Sequence, residues 1–145
     1  MYNTNMEQKK RLFFHGALIV FAVFFLHLIA SDLYWYYSIW WFDMPMHFLG
    51  GMFIGMMALW LFCMPNSIKS GSPQTVFKVF LVTLTLGLVV GFFWEFFEYG
   101  VGHLFSVDLG NTLDSTSDLF FDIAGSQAAA LYFFLFRFDK QENRI

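Results

Sequence analysis

The sequence has little charge, and two long stretches contain no positive charge at all. Asp, Glu, Lys and Arg make up only 13% of the 145 residues, whereas apolar side chains make up 58%. Lys and Arg are absent from residues 12–68 and again from residues 79–136. Such a composition lies outside the range of ordinary soluble domains, and nothing in it supports nucleic-acid binding. We therefore predict an integral membrane protein with a single domain over 1–145 and no nucleic-acid partner.

Cysteine is almost absent as well. Cys63 is the single cysteine of the chain, which excludes an internal disulfide. Its apolar neighbours predict a buried, small hydrophobic side chain rather than a reactive thiol. Redox chemistry at this position is therefore not expected.

Four apolar stretches are long enough to cross the hydrocarbon core of a bilayer, which takes about 20 residues. They cover residues 12–30, 44–64, 76–99 and 119–136. A polar, turn-rich linker separates the second stretch from the third, and residues 100–117 form a long outer loop. The predicted fold class is all-α: a polytopic membrane protein built as an up-and-down bundle of four transmembrane helices.

The charges of opposite sign separate along the chain. Four crossings place all eight basic residues on one face, and short loops rich in Lys and Arg stay in the cytoplasm. We therefore expect a multi-pass protein of the cell membrane with both termini cytoplasmic. Most acidic residues fall toward the opposite, outer face: Asp32, Asp43, Glu95, Glu98, Asp108, Asp114, Asp118 and Asp122.

Helical spacing places several outer acids on shared helix faces, because residues three or four apart are neighbours on a helix. The sets are Asp43 with His47, Glu95 with Glu98, and Asp114 with Asp118 and Asp122. Small residues lie on the same faces, and they mark where membrane helices pack. These small residues are Gly50, Gly87, Gly91, Gly125 and Ala129. We therefore expect the acids to point into the bundle. Separately, two Gly-xxx-Gly pairs, Gly51 with Gly55 and Gly87 with Gly91, suit close approach of membrane helices.

The acids also lie at similar depth. Glu95 is about 26 Å along a helix from Lys78, near the outer edge of a hydrocarbon core about 30 Å thick. Buried carboxylates without a positive partner must take up protons or bind a cation. Imidazole nitrogen with several carboxylate oxygens suits Zn²⁺ or Mn²⁺, whereas carboxylates alone suit Mg²⁺ or Ca²⁺.

These considerations predict a divalent metal ion at the outer side of the bundle, of unspecified identity. The predicted metal ligands are His47, Glu95, Asp114, Asp118 and Asp122. Asp43 and Glu98 are the predicted catalytic residues, orienting a ligand or acting as general base toward bound water. A network of protonated carboxyl groups that ties the helices together is the competing interpretation.

A metal site of this kind predicts a membrane enzyme acting on the headgroup of a lipid or a lipid-linked envelope precursor. Phosphoester hydrolysis or transfer is the concrete form, although no nucleophile motif accompanies the acids. Two alternatives stay open: a cation- or proton-coupled transport protein, and a structural or accessory membrane protein stabilised by a bound ion.

Residues near the acids have two interpretations each. The aromatic run 33–42 is either an interfacial belt or a cradle for a hydrophobic ligand. His27 either completes the site from the first helix or bonds a neighbour. In the outer loop, His103 either folds over the site or bonds a neighbour, and Asp108 either folds over the site or is solvated.

Three segments carry a resemblance to known proteins: DMPMHFLGG at 43–51, WEFFE at 94–98 and LDSTSDLFFDIAG at 113–125. They resemble the VanZ-like and YjdF-like bacterial membrane proteins. That resemblance implies a small polytopic membrane protein whose acidic and histidine positions matter, in a family linked to glycopeptide resistance for some members. The VanZ-like pattern has Gln where Glu98 stands and Asn where Asp122 stands, so the chain is closer to the YjdF-like variant.

Overall fold

The chain folds almost entirely into helices. A computed structural model describes residues 2–63, 72–105 and 112–142, and no strand occurs in these ranges. The helices are α1 (Tyr2–Asp32), α2 (Trp35–Ser38), α3 (Asp43–Ala58), α4 (Pro73–Phe105) and α5 (Thr112–Glu142). A π-helical segment, Leu59–Cys63, continues α3. The predicted all-α class is confirmed.

Three of the described helices are long and apolar enough to cross a membrane. These candidate spans are Met6–Asp32, Asp43–Phe62 and Pro73–Val101. The fourth predicted span, 119–136, lies within α5, whose 31 residues extend about 46 Å. The fold is that of a polytopic membrane bundle.

Contacts between side chains fix the direction of α1 and α3. Phe13, near the start of α1, packs on Trp60 in the π-helical segment, with ring centroids 6.1 Å apart. Ala30, near the other end of α1, belongs to a buried cluster with Met46 in the first turn of α3. The two helices are therefore antiparallel, as an up-and-down bundle requires.

Helices α3 and α5 are parallel and pack more closely than side chains would permit. A Cβ atom on Gly55 would lie 2.7 Å from the Cβ of Ala129. A Cβ atom on Gly51 would overlap the backbone carbonyl of Asp122, and Gly125 lies equally close to the α3 backbone. The absence of side chains at these glycines therefore permits main-chain contact between the two helices.

Helix α4 packs antiparallel on α5 through two further glycines. A Cβ atom on Gly91 would lie 2.7 Å from Oδ2 of Asp122, and Gly87 faces Ser126. The expectation that these glycines mark packing faces is confirmed. The expectation was wrong for Gly50, because a Cβ atom added there would meet no other atom within 4 Å. The contact with α5 is made by the next residue, Gly51.

The helices extend beyond the predicted apolar stretches. Helix α4 continues to Phe105 and α5 begins at Thr112, so residues 100–105 and 112–117 of the predicted loop are helical. Residues 106–111 lie outside the described part of the chain. Backbone hydrogen bonding continues into the polar residues that flank each apolar core, and apolar content alone does not mark those helix ends.

The aromatic run between α1 and α3 has a buried side and an exposed side. Trp35 and Tyr36 pack edge to face on Phe42, with ring centroids 5.4 and 5.2 Å away. Tyr37 and Trp40 are each 81% exposed. Exposed amphipathic rings fit an interfacial belt, which stays a prediction. This segment lies at the end of the bundle that holds Asp43, and we call that end the acidic end.

Candidate metal centre

His47 is the centre of the cluster at the acidic end. Asp43 is the first residue of α3 and His47 lies one turn later, so both side chains lie on one face of the helix. His47 is only 7% exposed. Its Nδ1 lies 3.4 Å from Oδ2 of Asp122 and its Nε2 lies 3.7 Å from Oδ2 of Asp43. The imidazole thus lies between carboxylates of α3 and α5.

Two carboxylates of α5 are buried against this imidazole. Asp118 is 3% exposed and Asp122 is 8% exposed, and they lie one helical turn apart on the face that packs on α3. Ser117 donates a hydrogen bond to Oδ1 of Asp118 at 3.3 Å. The close approach at Gly91 brings Asp122 against α4 as well.

Helix α4 contributes two glutamates. Glu95 and Glu98 lie three residues apart on α4, and both are half-buried. Oε1 of Glu95 is buried without a hydrogen-bond partner among the described residues. An unsatisfied buried carboxylate oxygen is costly, so this atom is available for a ligand or a proton.

The ligand atoms form two triads that share His47. Asp43, His47 and Asp118 offer atoms within 4.8 Å of one another, and so do His47, Glu95 and Glu98. Asp122 belongs to neither triad. Six of the seven predicted site residues thus meet around the His47 imidazole: Asp43, His47, Glu95, Glu98, Asp118 and Asp122. Asp114 lies within α5, but its side chain is outside the described part of the structure, as is that of His103, and Asp108 lies outside the described residues.

The cluster has no basic side chain nearby along the helices that build it. Lys and Arg are absent from residues 79–136, and the nearest one on α4, Lys78, lies about 26 Å from Glu95. Lys10, at the opposite end of the bundle, pairs with Glu7 at 3.4 Å. Charge neutralisation at the acidic end therefore requires protons or a cation from outside the chain.

Tyr36 borders the cluster, and the sequence patterns did not indicate it. Burial, and to a lesser extent the nearby carboxylates of Asp43 and Glu98, together raise the pKa of Tyr36 to about 12. The hydroxyl therefore stays protonated, and it shares a hydrogen bond with Nδ1 of His27 at 2.9 Å. This bond supports the interpretation in which His27 bonds a neighbour rather than joining the cluster. The signal in the sequence that could have indicated Tyr36 is its position in the aromatic run, seven residues before Asp43.

Polar groups below the cluster are satisfied locally. Ser126 Oγ donates to the carbonyl of Ile123 in its own helix, and Thr83 Oγ1 donates to the carbonyl of Val79. Gln127 Nε2 donates to Thr83 Oγ1 across the α4–α5 contact at 3.3 Å. These bonds tie the two helices together beneath the acids.

Comparison with known proteins identifies the family to which the chain belongs. No curated protein and no solved structure matches the chain. Residues 7–139 match the family described as "Predicted membrane protein (DUF2238)", which is the YjdF-like side of the resemblance. Because the match covers nearly the whole chain and includes every residue of the cluster, the protein belongs to this predicted membrane protein family.

Proposed function

We propose that this protein binds a divalent metal ion at the acidic end of the bundle. His47 is the shared ligand, joined by carboxylates drawn from Asp43 and Asp118 or from Glu95 and Glu98. The observation that carries the proposal is the convergence of these ligand atoms from three helices, each triad lying within 4.8 Å.

Electrostatics support a cation over an empty cluster. Several carboxylates at the edge of a low-dielectric medium repel one another, and burying unpaired charge costs several kcal/mol. Protonation relieves the repulsion but leaves Glu95 Oε1 without a partner. A divalent ion removes the repulsion by neutralising the carboxylates. It also gives Glu95 Oε1 a partner, because that oxygen can coordinate the ion. One nitrogen with several oxygens is a donor set that suits Zn²⁺ or Mn²⁺.

Asp122 is better explained as the residue that orients His47 than as a ligand. It belongs to neither triad, and its Oδ2 lies 3.4 Å from Nδ1 of the imidazole. A carboxylate that accepts a hydrogen bond from one ring nitrogen fixes the tautomer and leaves the other nitrogen for metal. The sequence prediction placed Asp122 among the ligands, and we propose this indirect role instead.

The chemistry we propose is phosphoester hydrolysis or transfer on a lipid-linked headgroup. The cluster lies at one end of membrane-spanning helices, beside the exposed aromatic run, where headgroups would be found. A divalent ion polarises a phosphoryl oxygen and lowers the pKa of bound water. It would also supply the positive charge that this end of the chain lacks. Asp43 and Glu98 are only partly buried, so either can reach water as general base.

Elemental analysis of the detergent-purified protein tests the metal site. We expect about one ion per chain in the wild type, none in His47→Ala, and weaker retention, by roughly 10- to 100-fold in affinity, in Asp122→Asn. Asp32→Asn is the matched control, because Asp32 is an exposed acid at the end of α1 that lies at the acidic end of the bundle. Negligible metal in all four proteins would favour the protonated-carboxyl network.

Two alternative functions share this site. In a transport protein the carboxylates would pass cations onward, and the contact between Gln127 and Thr83 offers polar groups below them. Ion flux in proteoliposomes that disappears in Glu95→Gln would favour that function. In a structural protein the ion only holds the helices, so removing it would unfold a protein that turns over no substrate. A relation to VanZ-like proteins also stays a prediction.

A further inference from the structure

The opposite end of the bundle carries a second arrangement of side chains, unrelated to the acids. Lys9 Nζ lies 4.5 Å from the ring centroid of Trp60, so a cation from α1 sits over an aromatic face of the π-helical segment. Lys9 itself is half-buried. We call this pair of side chains the Lys9–Trp60 site.

We propose that the Lys9–Trp60 site binds the phosphate of an anionic phospholipid in the adjacent leaflet. The ammonium group has three donors, and the ring occupies only one side of it. Contact with the ring holds the long lysine side chain in place, which lowers the entropy lost when a phosphate binds. An exposed lysine without such a contact has no comparable preorganisation.

Depth in the membrane agrees with a headgroup ligand. Lys9 lies 23 residues before Asp32 in α1, which is about 34 Å along the helix. If Asp32 marks the far edge of a hydrocarbon core about 30 Å thick, Lys9 lies just beyond the near edge, in the headgroup layer. Tryptophan side chains favour the same layer.

An apolar wall continues from the Lys9–Trp60 site toward the membrane interior. Phe13 lies one turn after Lys9 in α1 and packs on Trp60. Phe13 is more than half exposed, and so are Leu61 and Phe62, which follow Trp60 at the same end of the bundle. Such a surface suits an acyl chain whose headgroup is held above it. The occupant is therefore a lipid rather than a soluble phosphate compound.

Charge complementarity favours an anionic lipid. The sequence assigns eight basic residues and only three acidic ones, Glu7, Asp139 and Glu142, to this side of the membrane. Glu7 pairs with the neighbouring Lys10 at 3.4 Å. Basic residues beside a membrane span attract anionic lipids. Lys9 differs from its neighbour in having an aromatic partner.

Thermal unfolding of the full-length protein in dodecylmaltoside tests the proposal. We expect phosphatidylglycerol to raise the midpoint by roughly 3 °C at a tenfold excess over its Kd, and phosphatidylcholine to raise it by less than half as much. Lys9→Gln should abolish the response. Trp60→Leu should abolish it as well, although this variant keeps the net charge.

Lys78→Gln is the matched control, because it removes an equal charge from an exposed lysine on α4 at the same end. It should keep the response to phosphatidylglycerol. Equal losses in Lys9→Gln and Lys78→Gln, or a full response in Trp60→Leu, would overturn the proposal in favour of general surface charge. A full response to glycerol 3-phosphate alone would overturn the assignment to a lipid.

Discussion

Gly51 lies directly against the backbone carbonyl of Asp122, so α3 and α5 touch through their main chains at the level of the acidic cluster. Asp122 is also the residue whose carboxylate contacts His47. Helix packing and the geometry of the cluster therefore depend on the same pair of residues.

Gly51→Ala should destabilise the protein. The added methyl overlaps backbone atoms that cannot rotate away, so the helices must separate, at a cost of about 1–3 kcal/mol. Gly50→Ala is the control, because its Cβ would meet no atom within 4 Å. That variant should be neutral or more stable by up to about 1 kcal/mol. Chemical denaturation in detergent measures both, and similar effects of the two variants would contradict the close α3–α5 contact.

Metal removal should lower stability. If an ion binds the folded protein at 100 times its Kd, chelation removes about 2.7 kcal/mol of stabilisation. Thermal midpoints before and after chelation, followed by addition of Zn²⁺ or Mn²⁺, measure the effect. His47→Ala lacks the shared ligand, so its midpoint should not respond. A chelator response of equal size in that variant would argue against the cluster as the binding site.

Stability should decrease with pH in a window set by Tyr36. Its pKa in the folded protein is about 12, above the usual value of 10.0, so the folded state holds this proton more tightly than the unfolded state. The contribution is complete below pH 10, decreases as pH rises between the two values, and is lost above about 12.

Thermal midpoints from pH 8 to 12 measure this effect. Tyr36→Phe should show a smaller decrease in this window than the wild type, because Phe has no proton to lose. Tyr37→Phe is the matched control, since Tyr37 is 81% exposed, and it should behave like the wild type. Parallel curves for all three proteins would show that Tyr36 does not border the carboxylates.

Thr83→Val should weaken the α4–α5 contact. Thr83 is fully buried and accepts a hydrogen bond from Gln127 at 3.3 Å, so the substitution removes a bond between helices. We expect a loss of about 1 kcal/mol in unfolding free energy. Thr85→Val is the control, because Thr85 Oγ1 is exposed and donates to Leu81 in its own helix. Equal losses would show that the Gln127 contact contributes nothing.

The helices and the convergence of acids were predictable, because both follow from local spacing. Apolar stretches of sufficient length mark spans, and carboxylates three or four residues apart share a helix face. The small residues on those faces indicated which way the acids point. Gly91 and Gly125 confirm that inference through their contacts with neighbouring helices, and Gly51 and Gly55 confirm the close approach expected of their Gly-xxx-Gly pair.

Other features depend on the relative placement of helices, which local spacing does not encode. Gly50 and Gly51 are equivalent in sequence, yet only Gly51 meets α5. Tyr36 reaches the carboxylates because α2 turns back over the bundle after Tyr34, whose backbone adopts the left-handed conformation at φ 56°. The geometry that separates Asp122 from the two triads likewise arises from three-dimensional packing.

The main-chain contact between α3 and α5 also limits how the cluster can adapt. Two backbones in contact cannot approach further, so His47 and Asp118 are held at a fixed spacing. An ion bound between them would have to fit that spacing. Discrimination between ions by radius would then originate in the glycines of the helix crossing rather than in the coordinating side chains.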